Sequence, residues 1–182
     1  LTGILLKLSQ EGLISVATDG YRLSKVELKE LGSKEEFQVI IPSRSMVEIT
    51  RLFSDRKDEV LKLALSNNQL LVKSANILFS SRIIDGQFPN YQRIIPQGFE
   101  TRVIVDHDEL VKAVKISSVF AKDNANIIRL AIKPGEPEPI HLSGSTAQVG
   151  DETGRVEASV SGESVEIAFN GRYLIEALSA IK

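Results

Sequence analysis

Short apolar runs separated by turn-forming residues dominate the first part of the chain. Residues 1–8 and 13–17 are apolar and β-prone, and residues 9–12 supply a turn between them. Residues 21–28 alternate apolar and polar positions, as in a strand with one solvent-facing side, and residues 37–41 form another apolar run. The pattern predicts a hairpin followed by two further strands.

After Pro42 the spacing of apolar residues becomes helical. Four of them share one face of the predicted helix, namely Met46, Ile49, Leu52 and Phe53. Pro42 suits the first turn of a helix, and Ser45 and Glu48 have the spacing of a capping box. We therefore predict a helix over 43–53.

The remainder of the chain repeats this mixture of patterns. Further strands are predicted near residues 59–65, 69–74, 77–84, 101–105, 127–133, 139–145, 155–160 and 164–169. Asn67 and Asn68 form a credible turn between the first two of these. Asp106 and Glu109 again have capping-box spacing and begin a helix that runs to about residue 120. A last helix is predicted over 171–181.

The order of these elements contains an internal repeat. At an offset of 128 positions, the strand and helix of 37–53 align with those of 165–181, and Arg44 coincides with Arg172. Matching element order over a fixed offset is typical of a duplicated structural unit. The chain is therefore expected to contain two copies of one β-rich module.

Composition narrows the class of protein. The chain has 182 residues, of which 42% are hydrophobic, enough for one large domain or two small ones. It has no cysteine, which excludes a disulfide framework and a thiolate zinc site. No apolar run is long enough to span a membrane, and no basic-then-apolar leader is present. Because the first residue is Leu1 rather than Met, we expect the chain to be a fragment.

Charge divides unevenly along the chain. The net charge is −2, but residues 1–99 carry 13 Lys/Arg and 11 Asp/Glu, whereas residues 100–182 carry 9 and 13. Neither part is strongly basic, so any nucleic-acid contact must come from a local basic face. Three structure breakers, Gly86, Pro89 and Pro96, indicate a linker near 95–101. We predict two domains, 1–98 and 99–182.

Two segments combine turn formers, an aromatic residue and an arginine beside large aliphatic residues. The first is Ala-Thr-Asp-Gly-Tyr-Arg-Leu at 17–23, and the second is Asp-Gly-Gln-Phe-Pro-Asn-Tyr-Gln-Arg-Ile-Ile-Pro at 85–96. Neither contains a nucleophile–base pair or a cluster of metal ligands. This composition suits a surface that binds a peptide better than one that breaks bonds.

The two segments resemble the signatures of the bacterial DNA polymerase sliding clamp family, the beta subunit of DNA polymerase III. Val39–Pro42 and the Phe169, Asn170 and Tyr173 positions also fit that family. The resemblance implies an α+β fold of repeated antiparallel-sheet modules with helices, the DNA clamp fold. It further implies two incomplete copies here, the C-terminal part of the middle domain and the N-terminal part of the third domain.

The resemblance also implies a hydrophobic cleft that takes short linear motifs from the replicative polymerase, the clamp loader and repair polymerases. By motif match, its residues are Leu1, Thr18, Gly20, Tyr21, Arg22, Leu23, Pro89, Arg93, Ile94, Asn170 and Tyr173. Apolar members would bury a Leu or Phe anchor, each contributing roughly 1.5–3 kcal/mol. The arginines would donate to ligand carbonyls or carboxylates.

In the family, two subunits close a ring around duplex DNA, and helices line the hole. The matching basic residues are Arg44, Arg51, Lys112, Lys115 and Arg172. Loose contact with phosphates predicts strong salt dependence and no sequence preference. Val119 and Phe120 match an apolar pair at the subunit contact of the homodimer. The implied location is the bacterial cytoplasm, at the nucleoid, with no membrane association.

Catalytic chemistry has little support in the residues. The carboxylates that flank His107, Asp106 and Asp108, are explained by a helix cap, and no phosphate-binding Gly-Lys-Ser/Thr loop exists. We therefore expect no enzyme activity, no cofactor and no metal. Two alternatives stay open: a small β-rich hydrolase with Asp19 and Asp85 as an acid–base pair, and a purely structural repeat protein. The second would leave Tyr21, Leu23 and Ile94 scattered or buried.

Overall fold

The computed structural model describes residues 3–56, 59–122, 124–146 and 150–181. The chain divides into two compact units, Leu1–Gln92 and Arg93–Lys182. This division falls within a short 3-10 turn, Tyr91–Arg93, and so precedes the domain boundary that the breakers suggest at 98/99.

The first unit begins with a four-stranded antiparallel sheet. Its strands are β1 (Gly3–Ser9), β2 (Gly12–Thr18), β3 (Leu23–Leu28) and β4 (Phe37–Pro42), in the order β3-β2-β1-β4. The predicted hairpin and both further strands are confirmed, although β3 starts after Tyr21 and Arg22. Those two residues lie instead in the turn that joins β2 to β3.

Helix α1 (Ser43–Phe53) follows, and then a second antiparallel sheet of β5 (Lys62–Ser66), β6 (Gln69–Lys73) and β7 (Leu78–Arg82). Asn67 and Asn68 have φ angles of 50° and 62°, as the predicted hairpin turn requires. The buried side chains of this unit's core come from both sheets and from the helix: Leu6, Val39, Ile41, Phe53, Leu70 and Val72.

The capping box predicted at the start of α1 is wrong. The helix begins at Ser43, and Pro42 precedes it without a side-chain cap. Ser45 therefore lies inside the first turn, where its hydroxyl is 2.7 Å from the Ser81 hydroxyl of β7. Glu48 accepts hydrogen bonds from the guanidinium of Arg51 instead of reaching back to the helix start.

The second unit contains seven further elements before its last helix. These are β8 (Arg102–Val105), α2 (His107–Phe120), β9 (Ile127–Ile132), β10 (Ile140–Thr146), β11 (Gly150–Val156), β12 (Ala158–Ser161) and β13 (Val165–Asn170), and the chain continues into α3 (Gly171–Ala180). One sheet has the order β11-β10-β9-β13, and β12 pairs with β8 in another. The single strand predicted at 155–160 is wrong, since β11 ends at Val156 and β12 belongs to the other sheet.

The core of the second unit lies between α2, α3 and the four-stranded sheet. Its buried members are Val114, Ala121, Ile128, Ile140, Leu142, Val156 and Leu178. Glycine lets α2 approach the sheet closely, because a Cβ at Gly144 of β10 would overlap the Ser117 carbonyl oxygen. The helix backbone therefore rests almost directly on the strand.

The internal repeat is confirmed by the topology. β13 and α3 begin 128 positions after β4 and α1, and the strand–helix junction falls at the same place in both. The sheet orders β3-β2-β1-β4 and β11-β10-β9-β13 correspond strand for strand. Each unit is thus built on the same four-stranded sheet, whose last strand along the chain leads into a helix.

Candidate functional site

The first sequence motif forms a tightly hydrogen-bonded turn between β2 and β3. The Thr18 hydroxyl donates to the Arg22 carbonyl at 2.8 Å and accepts from the Gly20 N–H at 3.1 Å. Asp19 Oδ1 accepts from the N–H groups of Tyr21 and Arg22, both at 3.0 Å. Gly20 has a φ of 90°, a conformation that favours glycine. The motif thus specifies one backbone conformation at the end of a hairpin.

The turn also holds an ion pair and presents an aromatic ring. Arg22 Nε donates to Asp19 Oδ2 at 2.9 Å. The backbone N–H groups of Tyr21 and Arg22 hold the pKa of the Asp19 carboxyl below its usual value, and the Arg22 guanidinium adds to this effect. The Tyr21 side chain is 84% exposed, whereas Leu23, which pairs with Thr18 across the hairpin, is half-buried.

The second motif is anchored at the opposite edge of the same sheet. The Ile84 N–H donates to the Ile40 carbonyl of β4 at 2.7 Å. Further along, the Phe88 and Tyr91 rings meet edge to face with centroids 6.5 Å apart, and Tyr91 is buried. Pro89 between them is exposed, and its carbonyl accepts from the Tyr91 N–H at 2.7 Å.

The end of this segment affects the pKa of a side chain on β3. The pKa of Lys25 is raised by a hydrogen bond and charge interaction with Glu27, and interaction with Tyr91 adds to the shift. In this sheet β4 and β3 are three strand spacings apart, roughly 14 Å, and the residues from Ile84 to Tyr91 can span about 25 Å. The segment is therefore long enough to reach from the edge strand β4 to β3.

The remaining candidate peptide-binding residues that the structure describes lie in the second unit. Arg93 and Ile94 are exposed, and Ile94 keeps 61% of its surface accessible. Asn170 is the N-cap of α3: its side-chain oxygen accepts from the N–H groups of Arg172 and Tyr173 at 3.0 and 3.4 Å. Leu1 lies outside the described residues.

All five candidate DNA-facing side chains are exposed on helices, namely Arg44, Arg51, Lys112, Lys115 and Arg172. Arg51 is paired with Glu48 at 2.8 Å. Of the candidate subunit-contact pair, Val119 is 67% exposed and Phe120 is half-buried.

Sequence reasoning missed a cavity of about 360 Å³ beside α2 in the second unit. Its lining combines one face of the helix with β11 and the loop before β10: Glu109, Lys112, Ala113, Ile116, Glu138, Gly154, Arg155, Val156 and Glu157. Lys112 therefore lines this cavity together with three glutamates and Arg155. No local motif signals this cluster, because its members meet only through the fold.

The hydrogen bonds of Asp19 and Asp85 argue against the hydrolase alternative. Both carboxylate oxygens of Asp19 are used within its own turn, and its lowered pKa is the opposite of what a general acid requires. Asp85 accepts from the Asn68 amide at 3.3 Å. The structural-repeat alternative predicts that Tyr21, Leu23 and Ile94 are either scattered or buried. Its second form is excluded, because none of the three side chains is buried.

His107 has a structural role at the start of α2. Asp106 caps the helix by accepting from the Glu109 N–H, as predicted. The His107 Nε2 lies 3.0 Å from the Leu178 carbonyl of α3, and Nδ1 lies 2.9 Å from Asp108. Among the described residues, no group of three or more His, Cys, Asp or Glu could hold a metal ion. No helix in the described part of the chain is long and apolar enough to cross a membrane.

Each of the two units matches a domain of a known protein family. Residues 1–90 match the family model of the DNA polymerase III beta subunit, central domain, and residues 92–182 match that of its C-terminal domain. The beta sliding clamp of Synechococcus elongatus is 37% identical over 184 residues, covering 100% of this chain and 49% of the relative. That of Bacillus subtilis is 30% identical over 185 residues, with 100% and 48% covered.

Solved structures agree with the sequence relatives. The DNA polymerase III subunit beta of Pseudomonas aeruginosa superimposes with a TM-score of 0.91 at 28% identity, covering 100% of this chain and 49% of that one. The beta chain of Streptococcus pneumoniae gives a TM-score of 0.89 at 33% identity, with 100% and 48% covered.

The fold is therefore the α+β clamp fold of repeated antiparallel-sheet modules, as predicted. The chain belongs to the DNA polymerase III beta subunit family. It spans about half the length of the curated relatives it matches.

Proposed function

We propose that this chain is part of a sliding clamp subunit, a non-catalytic processivity factor that encircles duplex DNA and docks partner proteins. The observation that carries the proposal is the match of both units, in order, to the central and C-terminal domains of one family. The names of the relatives support the same function, since they are beta sliding clamps of bacteria. We accordingly infer action at the nucleoid in the bacterial cytoplasm.

Short linear motifs of the replicative polymerase, the clamp loader and repair polymerases are the proposed ligands of the candidate peptide-binding residues. The turn at Thr18–Leu23 supports this, because it holds an arginine and an exposed tyrosine beside half-buried Leu23. Pro89 and the exposed Ile94 offer further apolar surface. Two or three buried anchors, less the cost of ordering the peptide, correspond to an affinity of about micromolar order.

Titration of a fluorescent Gln-Leu-x-Leu-Phe peptide tests the docking function. Leu23→Asp places a charge at the proposed anchor site and should weaken binding about tenfold or more. Val26→Asp is the matched control: Val26 is 51% exposed on the same strand, and side chains three positions apart point to opposite faces. Fluorescence anisotropy gives both dissociation constants, and equal affinities for wild type and Leu23→Asp would refute the assignment.

Duplex DNA is the second proposed partner, held inside a ring formed with another subunit through Val119 and Phe120. The exposed helical residues Arg44, Lys115 and Arg172 support a loose phosphate contact, whereas Lys112, beside the glutamates of the cavity, supports it less. Removing one basic side chain that touches a phosphate should reduce the slope of log affinity against log salt by about one. A DNA-binding titration of Arg44→Ala over a range of salt concentrations measures this, and an unchanged slope would show that Arg44 does not touch the phosphates.

A further inference from the structure

The sheet of β5, β6 and β7 has one face that carries positive charge and no negative charge. Residues that pair across its strands share a face, and the burial of Leu70 and Val72 identifies the other face as the core side. The outer face therefore has three rows of paired residues: Lys62, Lys73 and Leu78; Ala64, Leu71 and Ser80; and Ser66, Gln69 and Arg82. The first and third rows hold the cations, and the middle row is uncharged.

The three cations of this outer face are exposed and lack an acidic partner. Lys62 and Lys73 lie directly opposite each other, an arrangement that destabilises a sheet. Within the part of the chain that the structure describes, no salt bridge joins Lys62, Lys73 or Arg82 to a carboxylate. Glu59 and Asp85, which precede and follow the sheet, have other partners. The positive charge of the face is therefore not neutralised by these residues.

Protection against aggregation explains only two of the three cations. Charged side chains on edge strands deter pairing with other chains, and β5 and β7 are the outer strands of this three-stranded sheet. Lys73 lies on the central strand β6, which has a neighbour on both sides. Its repulsion from Lys62 is thus not explained by edge protection, and a charge that costs stability is typical of a binding surface.

The spacing of the rows defines the ligand that the outer face fits. Neighbouring rows are two residues apart along a strand, so the two cationic rows are about 13 Å apart. In an extended peptide the side chains at i, i+2 and i+4 point to one side, and positions i and i+4 are also about 13 Å apart. Carboxylates at i and i+4 can therefore lie over the two cationic rows, while an apolar side chain at i+2 lies over half-buried Leu71.

A nucleic-acid strand matches the outer face less well. Its charges follow one another without interruption, whereas the middle row of the face offers only Ala64, Leu71 and Ser80. The Leu78 side chain, which is 67% exposed beside Lys73, would gain nothing from a phosphate. None of the nine residues of the face is aromatic, so none can stack on a base.

We propose that the outer face of β5, β6 and β7 binds an extended acidic segment of a partner protein, with the pattern acid–x–apolar–x–acid. The first carboxylate lies between Lys62 and Lys73 and relieves their repulsion, and the second pairs with Arg82. This face shares no residue with the candidate peptide-binding set, and the proposal does not depend on the docking function inferred for that set.

Two peptides of identical composition test the spacing. The probe is fluorescein-labelled Ser-Glu-Ser-Leu-Ser-Glu-Ser, and the control is Ser-Glu-Ser-Leu-Glu-Ser-Ser, whose second glutamate points to the opposite side of an extended chain. Anisotropy titrations at low ionic strength should show that the probe binds about two- to fivefold more tightly, the effect of one exposed ion pair. Equal affinities would show only general attraction between charges, and absence of probe binding would refute the proposal.

Lys73→Gln separates binding from stability. Because it removes the repulsion from Lys62, its melting temperature should equal or exceed that of the wild type, whereas its affinity for the probe should fall about two- to fivefold. Lys34→Gln is the matched control, since it removes the same charge from an exposed loop outside the sheet and should bind the probe as the wild type does. Equal losses in the two variants, or wild-type affinity in Lys73→Gln, would overturn the site.

Competition distinguishes this face from the sites proposed above. Unlabelled Gln-Leu-x-Leu-Phe peptide should not displace the probe, and displacement would assign the probe to the candidate peptide-binding residues instead. Duplex DNA should also leave the probe bound. If DNA displaces the probe from the wild type and itself binds Lys73→Gln more weakly, the face binds phosphates and the acidic segment is wrong.

Discussion

The two units share one backbone plan but use glycine in their sheets differently. In the first unit, a Cβ at Gly3 of β1 would meet the Ile40 Cγ2 at 2.5 Å and the Ile84 Cδ1 at 2.9 Å. In the second unit, a Cβ at Gly144 would meet the main chain of α2 at Ser117. The neighbours of the first position are two isoleucine side chains and, at 3.3 Å, the Ile41 carbonyl oxygen, whereas those of the second are main-chain atoms of α2.

The repeated helices differ in the same way at their first residues. α1 begins after Pro42 with no side-chain cap, and α3 begins after Asn170, whose side chain caps two N–H groups. Both residues occupy the same place in the repeat, at the end of a strand that pairs with the middle of its sheet. Duplication has therefore preserved topology while the chemistry that stabilises each copy has diverged.

The largest difference should follow from alanine at the two sheet glycines. Gly144→Ala forces α2 away from β10 and should lower the free energy of unfolding of the second unit by about 1–3 kcal/mol. Gly3→Ala should also destabilise, because the Cγ2 of the buried, β-branched Ile40 cannot move away without repacking, but it should cost less than displacing a whole helix. Chemical denaturation followed by circular dichroism measures both.

Gly98→Ala is the control for that comparison, because a Cβ at this position would have no neighbour within 4 Å and the φ of Gly98 is not in the left-handed region. It should raise the free energy of unfolding slightly, by about 0.4–1 kcal/mol, because alanine has less conformational freedom than glycine in the unfolded chain. A larger loss in Gly3→Ala than in Gly144→Ala would contradict the distinction between side-chain and backbone neighbours.

A smaller difference is expected at the two helix starts. Asn170→Ala removes an N-cap and should lower the free energy of unfolding of the second unit by about 1 kcal/mol, whereas Asn170→Asp keeps the acceptor. Pro42→Ala has no cap to lose, and its cost is limited to the greater freedom of the unfolded chain, about 0.4–1 kcal/mol. Thermal melts of the three variants test the ranking, which fails if Asn170→Asp is as unstable as Asn170→Ala.

Local patterns predicted most elements of both units. Apolar runs indicated β1, β2 and β4, alternation indicated β3, and the offset of 128 positions related β4–α1 to β13–α3 from the order of residues alone. The errors occur where a tertiary contact decides the outcome. Ser45 fits a capping box by spacing, yet its hydroxyl contacts β7. The chain passes from one sheet to another at Glu157, between β11 and β12, without a glycine or proline to mark the break.

The candidate site shows the same limit. The turn at Thr18–Leu23 could be predicted because its hydrogen bonds join residues no more than four positions apart. The hydrogen bond from the Ile84 N–H to the Ile40 carbonyl, which fixes the start of the second motif on β4, could not, since its partners are far apart in the sequence. The cavity beside α2 likewise assembles residues from a helix, a loop and a strand.

The smallest expected difference between the units is a pH dependence in the neutral range, where only the second unit has histidines to titrate. The Leu178 carbonyl, and after it Asp108, raises the pKa of His107, because the imidazolium can donate to both at once. Protonation therefore stabilises the contact between α2 and α3. This contribution is complete below the unfolded-state pKa of about 6.5 and is lost as the pH rises through the higher folded-state pKa.

His107→Gln keeps a donor for the Leu178 carbonyl but cannot titrate. The melting temperature of the wild type minus that of His107→Gln should thus fall between about pH 5 and about pH 8. A difference that is flat or rises over this range would show that the histidine does not link the two helices.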